Sequence, residues 1–354
     1  MEILLEEFYR TDLHMEKFHF RKIYLDEKSY QINGITHSGK TKLVKNYLLS
    51  LKKSSYLYID CNDIRINIDN LNLVLKQFCH QKKINTLVLD NYKEEINLFL
   101  IPQLLITSEI THSIDFLTTL QLYPLDYEEF LAYEHKYDSS ALNHFFQLGG
   151  LPIMHKIFPE NRSIFIQQIL KKSLNDIEFQ ILLFCAKMVA QKISPYAIYE
   201  RMKQTQKISK DKLYSSYDAL VQKNYIHQLQ KFNHPKATKK LYLCDSSLKT
   251  ALNIEKNFAR LFENMIFLEL LKSNTPCYYE DKIDFYLPNQ EEIILAIPFG
   301  DERALFKKVE EMELFIFSYQ VKKITAITMS REGSISHPIS KVELIPFDIW
   351  AIGD

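Results

Sequence analysis

Short β-compatible runs alternate with longer stretches of helical apolar spacing through the first part of the chain. Ser29-Tyr30-Gln31-Ile32-Asn33, Ser55-Tyr56-Leu57-Tyr58-Ile59-Asp60, Thr86-Leu87-Val88-Leu89-Asp90 and Gln103-Leu104-Leu105-Ile106-Thr107-Ser108 are the runs. Between the first two, Lys40 to Leu49 places apolar residues at helical intervals. Four residues, Thr86 to Leu89, suit a parallel strand buried on both faces and lead directly into a carboxylate. Strands alternating with helices predict an α/β domain.

The pattern changes further on. Ile177 to Ala190 is strongly apolar, Pro195 to Met202 suits a second helix and Ser209 to Asn224 a third. Tyr225 to Leu243 reads as two short strands joined by a lysine-rich turn, giving the order helix, helix, helix, wing. A second α/β pattern follows. The expected organisation is therefore 1–158 as an α/β domain, 159–251 as a helical, winged-helix-like region, and 252–354 as a second α/β domain.

Composition sharpens the picture at one place. Of only seven glycines among 354 residues, two fall in Gly34-Ile35-Thr36-His37-Ser38-Gly39-Lys40-Thr41, a complete Walker A pattern between a predicted strand and a predicted helix. Backbone N–H groups of such a loop and the helix N-terminus surround phosphates, Lys40 is placed to reach the β/γ-phosphates, and the Thr41 hydroxyl to ligate Mg²⁺. ATP and Mg²⁺ are the expected ligands. Asp90, ending a buried strand, is expected to hold the hydrated metal with Thr41. Thr107 and Ser108 end another core strand, which suits either a sensor of the γ-phosphate or ordinary turn chemistry. The position after Asp90 is Asn91, whose amide cannot take a proton from water. General-base assistance is worth about 10²–10⁴-fold, so slow hydrolysis is expected unless Glu94 or Glu95 swings in from what reads as a solvated helix face.

Several blocks together carry a resemblance. Beside the Walker A loop and the Leu-Val-Leu-Asp and Leu-Ile-Thr-Ser strands stand Leu122-Tyr123-Pro124-Leu125-Asp126-Tyr127-Glu128-Glu129-Phe130-Leu131 and Leu148-Gly149-Gly150-Leu151-Pro152. Lys240 to Asp245, Leu261 to Asn264, Lys282 to Phe285 and Val342 to Phe347 follow in order. The chain resembles the prokaryotic AAA-superfamily P-loop ATPases with a C-terminal DUF4143 region, over nearly its whole length. The resemblance implies an AAA-type ATPase domain, a helical and winged-helix-like middle, and a C-terminal domain similar to PD-(D/E)xK nucleases.

Departures from that family matter as much. The family's Gly-Arg pair after the sensor strand is absent, Asp115-Phe116 standing there, and no arginine occurs between Arg65 and Arg162. Where an arginine acts at the γ-phosphate it is worth about 10³–10⁵ in rate, so its absence points the same way as Asn91. In the last domain Asp284 fits the first nuclease position, but Ile293 to Ile297 leads to Pro298-Phe299-Gly300 where Glu-x-Lys belongs. Without a second carboxylate and lysine there, a nuclease-like scaffold lacking nuclease activity is expected. Glu263 and Glu269 read as capping or surface residues.

The formal net charge is zero, so no whole-molecule field attracts nucleic acid and any contact needs a local patch. A winged helix would put Lys210, Lys212, Tyr214 and Ser215 near duplex DNA, with Lys236, Lys239 and Lys240 at phosphates; a solvated hairpin facing a protein fits the same residues. Five scattered cysteines, with no Cys-x-x-Cys, suggest neither a zinc site nor a disulfide frame, and Cys79-His80 reads as a core thiol beside an exposed ring. An acidic start and the lack of a long uncharged apolar run make a cytoplasmic, non-membrane location the expectation. Two functions stand: an ATP-driven switch with slow or partner-triggered turnover, contacting DNA, a protein or a second copy that supplies the missing arginine; and a non-catalytic protein-interaction scaffold with structural nucleotide.

Overall fold

The computed structural model describes residues 1–14, 21–135, 139–205, 207–253, 255 and 257–353, which form two compact units, Met1–Tyr123 and Pro124–Asp354. The first contains α1 (Glu2–Arg10), β1 (Tyr30–Asn33), α2 (Lys40–Leu49), β2 (Tyr56–Asp60), α3 (Ile68–Gln81), β3 (Thr86–Asp90), β4 (Gln103–Ser108) and β5 (Thr118–Gln121). All five strands run parallel in the order β2-β3-β4-β1-β5. Every residue of β1, β3 and β4 is buried, while the edge strand β5 is not. That is why the central strands read as nearly continuous apolar runs.

Strand alternation sorts the two layers of core. Ile32, Val88 and Leu105 pack with Leu43, Val44 and Leu48 of α2 on one face. Leu57, Leu87, Leu89, Leu104 and Ile106 pack with Leu5 of α1 and Leu71, Leu75 and Phe78 of α3 on the other. The chain leaves β1 toward β2, three strands away, and later crosses back to place β5 on the opposite side of β1. The carboxyl end of β1 therefore lies at a topological switch point, the place where open α/β sheets hold ligands.

The second unit begins with α4 (Tyr127–Glu134), α5 (Ser139–Leu148), α6 (Arg162–Ser173) and α7 (Asp176–Lys187). It continues through β6 (Gln191–Lys192), α8 (Pro195–Lys203), α9 (Lys210–Gln222), β7 (Ile226–Leu229), β8 (Lys240–Leu243) and α10 (Ser246–Leu252). The last stretch holds α11 (Phe258–Lys272), β9 (Tyr278–Glu280), β10 (Ile283–Leu287), β11 (Glu292–Ala296), α12 (Glu302–Glu311), α13 (Glu313–Ser318), β12 (Lys323–Thr328), β13 (Gly333–Ser336), β14 (Lys341–Pro346) and α14 (Phe347–Ile352). A three-stranded antiparallel sheet, β6-β8-β7, accompanies α7 to α9. A six-stranded mixed sheet, β13-β14-β12-β11-β10-β9, follows, with β9 to β11 antiparallel and β12 and β14 parallel to β11.

The contact boundary at 123/124 lies upstream of the 158 expected from motif change, and no division falls near 252. The reason lies in the Pro-Leu and Gly-Gly blocks. Leu125 N donates to Gly150 O at 2.7 Å, and Gly150 N donates to buried Asp245 Oδ2 at 2.7 Å. A Cβ on Gly150 would stand 2.3 Å from Leu125 O, so the two segments close on each other only with glycine there. Lys272 Nζ of α11 also reaches Leu125 O at 2.7 Å, and Glu269 accepts from Tyr127 N at 3.2 Å, capping the start of α4. These contacts bind residues 124–152 to α10 and α11.

Candidate functional site

The 34–41 loop joins β1 to α2 at the switch point. Gly34 N donates to Ser108 O at 3.2 Å, and a Cβ on Gly34 would fall 2.3 Å from Leu122 O. Only glycine lets the loop pass so close to that neighbouring backbone. His37 and Gly39 both take positive φ, 61° and 103°, a turn-rich conformation in which amide groups line an anion-binding concavity. Gly39 is the N-cap of α2 and brings no capping side chain. The helix thus starts with its first-turn amides and positive dipole end directed at the loop.

Lys40 is buried and donates from Nζ to Gly34 O at 2.7 Å and to Ile35 O at 3.0 Å. Burial lowers its pKa, with the Glu109 and Asp90 carboxylates opposing that shift in that order. Asp90, 1% exposed, accepts three hydroxyl hydrogen bonds: from Thr41 Oγ1 at 2.7 Å and Tyr58 OH at 2.6 Å on Oδ2, and from Thr107 Oγ1 at 2.5 Å on Oδ1. Burial and the adjacent Asp90 push the Tyr58 phenol far above its ordinary pKa, keeping it a donor. The loop, the first turn of α2 and the ends of β2, β3 and β4 therefore meet around one carboxylate.

Asn91 has a positive φ of 56°. Its backbone N–H donates to Thr107 Oγ1 at 2.8 Å and its side-chain amide to Asp60 Oδ1 at 2.9 Å. Ser108, next to Thr107, points to the other face of β4: its Oγ lies 3.0 Å from His112 Nε2, and His112 Nδ1 lies 2.9 Å from Glu94 Oε1. The helix expected to carry Glu94 and Glu95 is not formed, because the segment is a succession of turns. Glu94, exposed, instead reaches over to His112.

Lys40, Thr41, Asp90 and Thr107 are thus brought together with Gly34, Ile35 and Gly39; Thr36, His37 and Ser38 complete the loop, while Asn91 faces Asp60. Sequence reasoning missed three residues. Tyr58 follows the alternation of β2 but carried no motif. Glu109 directly follows the last residue of β4, a signal available in the sequence. Arg21 is buried and donates to Ser38 O at 2.9 Å and Tyr123 O at 2.7 Å, bracing the loop from outside any pattern.

No family model matches the chain. An uncharacterized protein of Methanocaldococcus jannaschii is 24% identical over 388 residues, covering 91% of this chain and 87% of that protein. A Walker-type ATPase of Pyrococcus abyssi is similar in structure with a TM-score of 0.42 at 12% identity, over 64% of this chain and 91% of that one. The Orc1 protein of Aeropyrum pernix, in complex with DNA, is similar with a TM-score of 0.31 at 12% identity, over 64% of this chain and 86% of that one.

In the second unit the lysine-rich turn differs from the expected DNA-facing wing. Lys240 is not a surface lysine: its Nζ donates to Glu263 Oε1 at 2.6 Å and lies 3.9 Å from Asp284 Oδ1, with 11% of the side chain exposed. Lys239 donates to Gln228 at 2.9 Å, and only Lys236 of the three is exposed. The turn is held down because Phe232 packs among Tyr278, Tyr286, Phe315 and Tyr319. Glu263 correspondingly is neither cap nor surface. It accepts from Lys240 and from Tyr242 OH at 2.7 Å, and burial raises its pKa. Asp284 accepts from Lys308 Nζ at 2.7 Å and Ala296 N at 2.9 Å. Among the described residues no group of three or more His, Cys, Asp or Glu side chains could hold a metal ion, and no helix is long and apolar enough to cross a membrane. Cys79 is buried and His80 exposed.

Proposed function

We propose that the chain is a Mg-ATP-binding, AAA-type P-loop ATPase that works as a nucleotide-dependent switch with slow or partner-triggered hydrolysis. The observation that carries this reading is the convergence of Lys40, Thr41 and Thr107 with Asp90 at the carboxyl end of β1. The donor set fits Mg²⁺: a hydroxyl and a carboxylate oxygen 2.7 Å apart are hard oxygen ligands, and Mg²⁺ keeps water in its other positions. Thr41 and Asp90 would hold it, and bound there it neutralises phosphate charge.

The residues divide the work. Lys40, now on the loop carbonyls, exchanges them for phosphate oxygens when ATP enters. Phosphates also offer the buried ammonium a stronger counter-charge than neutral carbonyls do. Thr107 holds Asp90 and the backbone of Asn91 in place, so it links the metal ligand to the end of β4. Asn91 supplies no base, which supports slow turnover. Single-turnover conversion of labelled ATP with protein in excess tests the reading, Lys40→Ala being the blank. Binding without conversion would favour the alternative, a non-catalytic protein-interaction scaffold with structural nucleotide.

For partners, the α8–α9 face supports duplex DNA better than the turn does. Lys203, Lys207, Lys210 and Lys212 are exposed there, and Lys210 Nζ stands 5.6 Å from both the Tyr196 and Tyr214 rings. We read the order of α7 to β8 as a winged helix and that of α11 to β12 as a nuclease-like scaffold without nuclease activity. Loss of duplex affinity, with a shallower salt dependence, in Lys210→Ala/Lys212→Ala tests the DNA contact.

A further inference from the structure

We infer that Arg21 is a positioning residue of the phosphate loop, one that presets the loop's amides for phosphate and ties that setting to the point where the chain leaves the first unit. The inference rests on the ATP-binding reading above.

Arg21 is buried, and its single guanidinium spans two separate pieces of backbone. Nη1 donates to Ser38 O at 2.9 Å inside the loop, and Nη2 donates to Tyr123 O at 2.7 Å just beyond β5. The first contact falls where the loop turns most. Ser38 lies between His37 and Gly39, both at positive φ, so the shape of the loop depends on how the peptides around Ser38 are rotated. In a planar trans peptide the carbonyl and the N–H point opposite ways. A guanidinium that holds the Ser38 carbonyl therefore also sets the direction of the Gly39 N–H, one of the amides offered to phosphate at the start of α2.

The second contact joins this setting to the chain's exit. Leu122 N donates to Asn33 O at 2.6 Å, and Leu122 O lies where a Cβ on Gly34 would come within 2.3 Å, so residues 122 and 123 run along the root of the loop. Tyr123 is the last residue of the first unit. Pro124 follows, and a proline holds the residue before it in extended backbone, which fixes where the Tyr123 carbonyl points. One residue later the second unit takes hold of the chain, through Leu125 N on Gly150 O and Lys272 Nζ on Leu125 O. A change in the loop on nucleotide entry thus acts on Tyr123 through Arg21. By linkage, the setting of Tyr123 acts equally on nucleotide affinity.

The experiment is a double-mutant cycle on the full-length chain, with Mg-ATP and Mg-ADP titrations beside urea unfolding. Arg21→Lys keeps the charge and loses the planar fork. It should weaken both nucleotides about 10- to 10²-fold, the size of a hydrogen bond from a charged donor. Pro124→Ala frees Tyr123 and leaves Arg21 and the loop unchanged in sequence; it should weaken both nucleotides by a smaller factor. The double variant should bind no more weakly than Arg21→Lys, because the connection is already cut. An arginine that merely supports the fold would lower the urea midpoint and leave the two losses additive, and additive losses overturn the inference. Wild-type affinity in a folded Arg21→Lys overturns it as well and leaves the ATP-binding reading intact. Should Arg21→Lys lose cooperative unfolding, Pro124→Ala decides alone, and wild-type affinity there overturns the inference. A wild-type chain that binds neither nucleotide overturns both readings.

Discussion

Thr107 Oγ1 donates to Asp90 Oδ1 at 2.5 Å and at the same time accepts from Asn91 N at 2.8 Å. One hydroxyl therefore fixes the metal-ligand candidate and the backbone turn that follows it. Replacing Thr107 by Val leaves a backbone donor and a carboxylate oxygen each short of a partner in a buried place, a cost of about 1–3 kcal/mol for each unsatisfied group. Thr107→Val should unfold at lower urea and bind Mg-ATP more weakly, while Thr107→Ser keeps both. Equal behaviour of the two variants would remove the clamp role.

Lys40 gives the opposite balance of stability and function. Its ammonium is buried on two neutral carbonyls, and burial lowers its pKa. Lys40→Met keeps the aliphatic stem and removes the charge, so the nucleotide-free protein should be as stable as the wild type or more so. ATP binding should be lost. Equilibrium urea unfolding beside nucleotide titration checks both; a marked loss of stability would count against the desolvation argument.

The two units differed in how much could be read from sequence. The loop was legible because its chemistry is local: eight consecutive residues carry it, between a strand and a helix whose periodicity is plain. Asp90 was legible as the end of a run buried on both faces. Arg21 was not, since it braces Ser38 from a position no periodicity marks. Lys240 misled for a physical reason. A lysine-rich turn reads as solvated, and only the fold brings Glu263, twenty-three residues on, beneath its last lysine. The Gly149-Gly150 block was visible, but its partner Asp245 lies 95 positions from Gly150, so the domain boundary could not be placed from motif change.

His227 should set part of the acid limit of stability. Burial, and after it the Lys272 charge, push its pKa down to about 4 from 6.5. The folded state thus prefers the neutral ring. Its contribution is fully present above about pH 6.5 and is lost as pH falls from there toward 4, because the unfolded chain takes the proton first. A shift of this size corresponds to roughly 3 kcal/mol across that window. His227→Gln, with no titrating ring, should narrow the difference in stability between pH 7 and pH 4.5 measured by urea unfolding. An unchanged difference would show that other groups carry the acid limb.

The Lys240–Glu263 pair separates a structural lysine from a DNA-contacting one. Both side chains are mostly buried, at 11% and 13% exposure, and Tyr242 shares the same Glu263 oxygen. Lys240→Ala would strand the carboxylate, and breaking a buried pair costs about 3–5 kcal/mol. Lys240→Met together with Glu263→Gln keeps an acceptor for Tyr242 and removes both charges, so it should recover most of that stability. The double variant should also bind duplex DNA with the affinity and salt slope of the wild type. Lys210→Ala/Lys212→Ala, on the exposed α9 face, should lower both. A weakened salt slope in the double variant would return Lys240 to the phosphate contacts and require the turn to lift from Phe232's aromatic pocket.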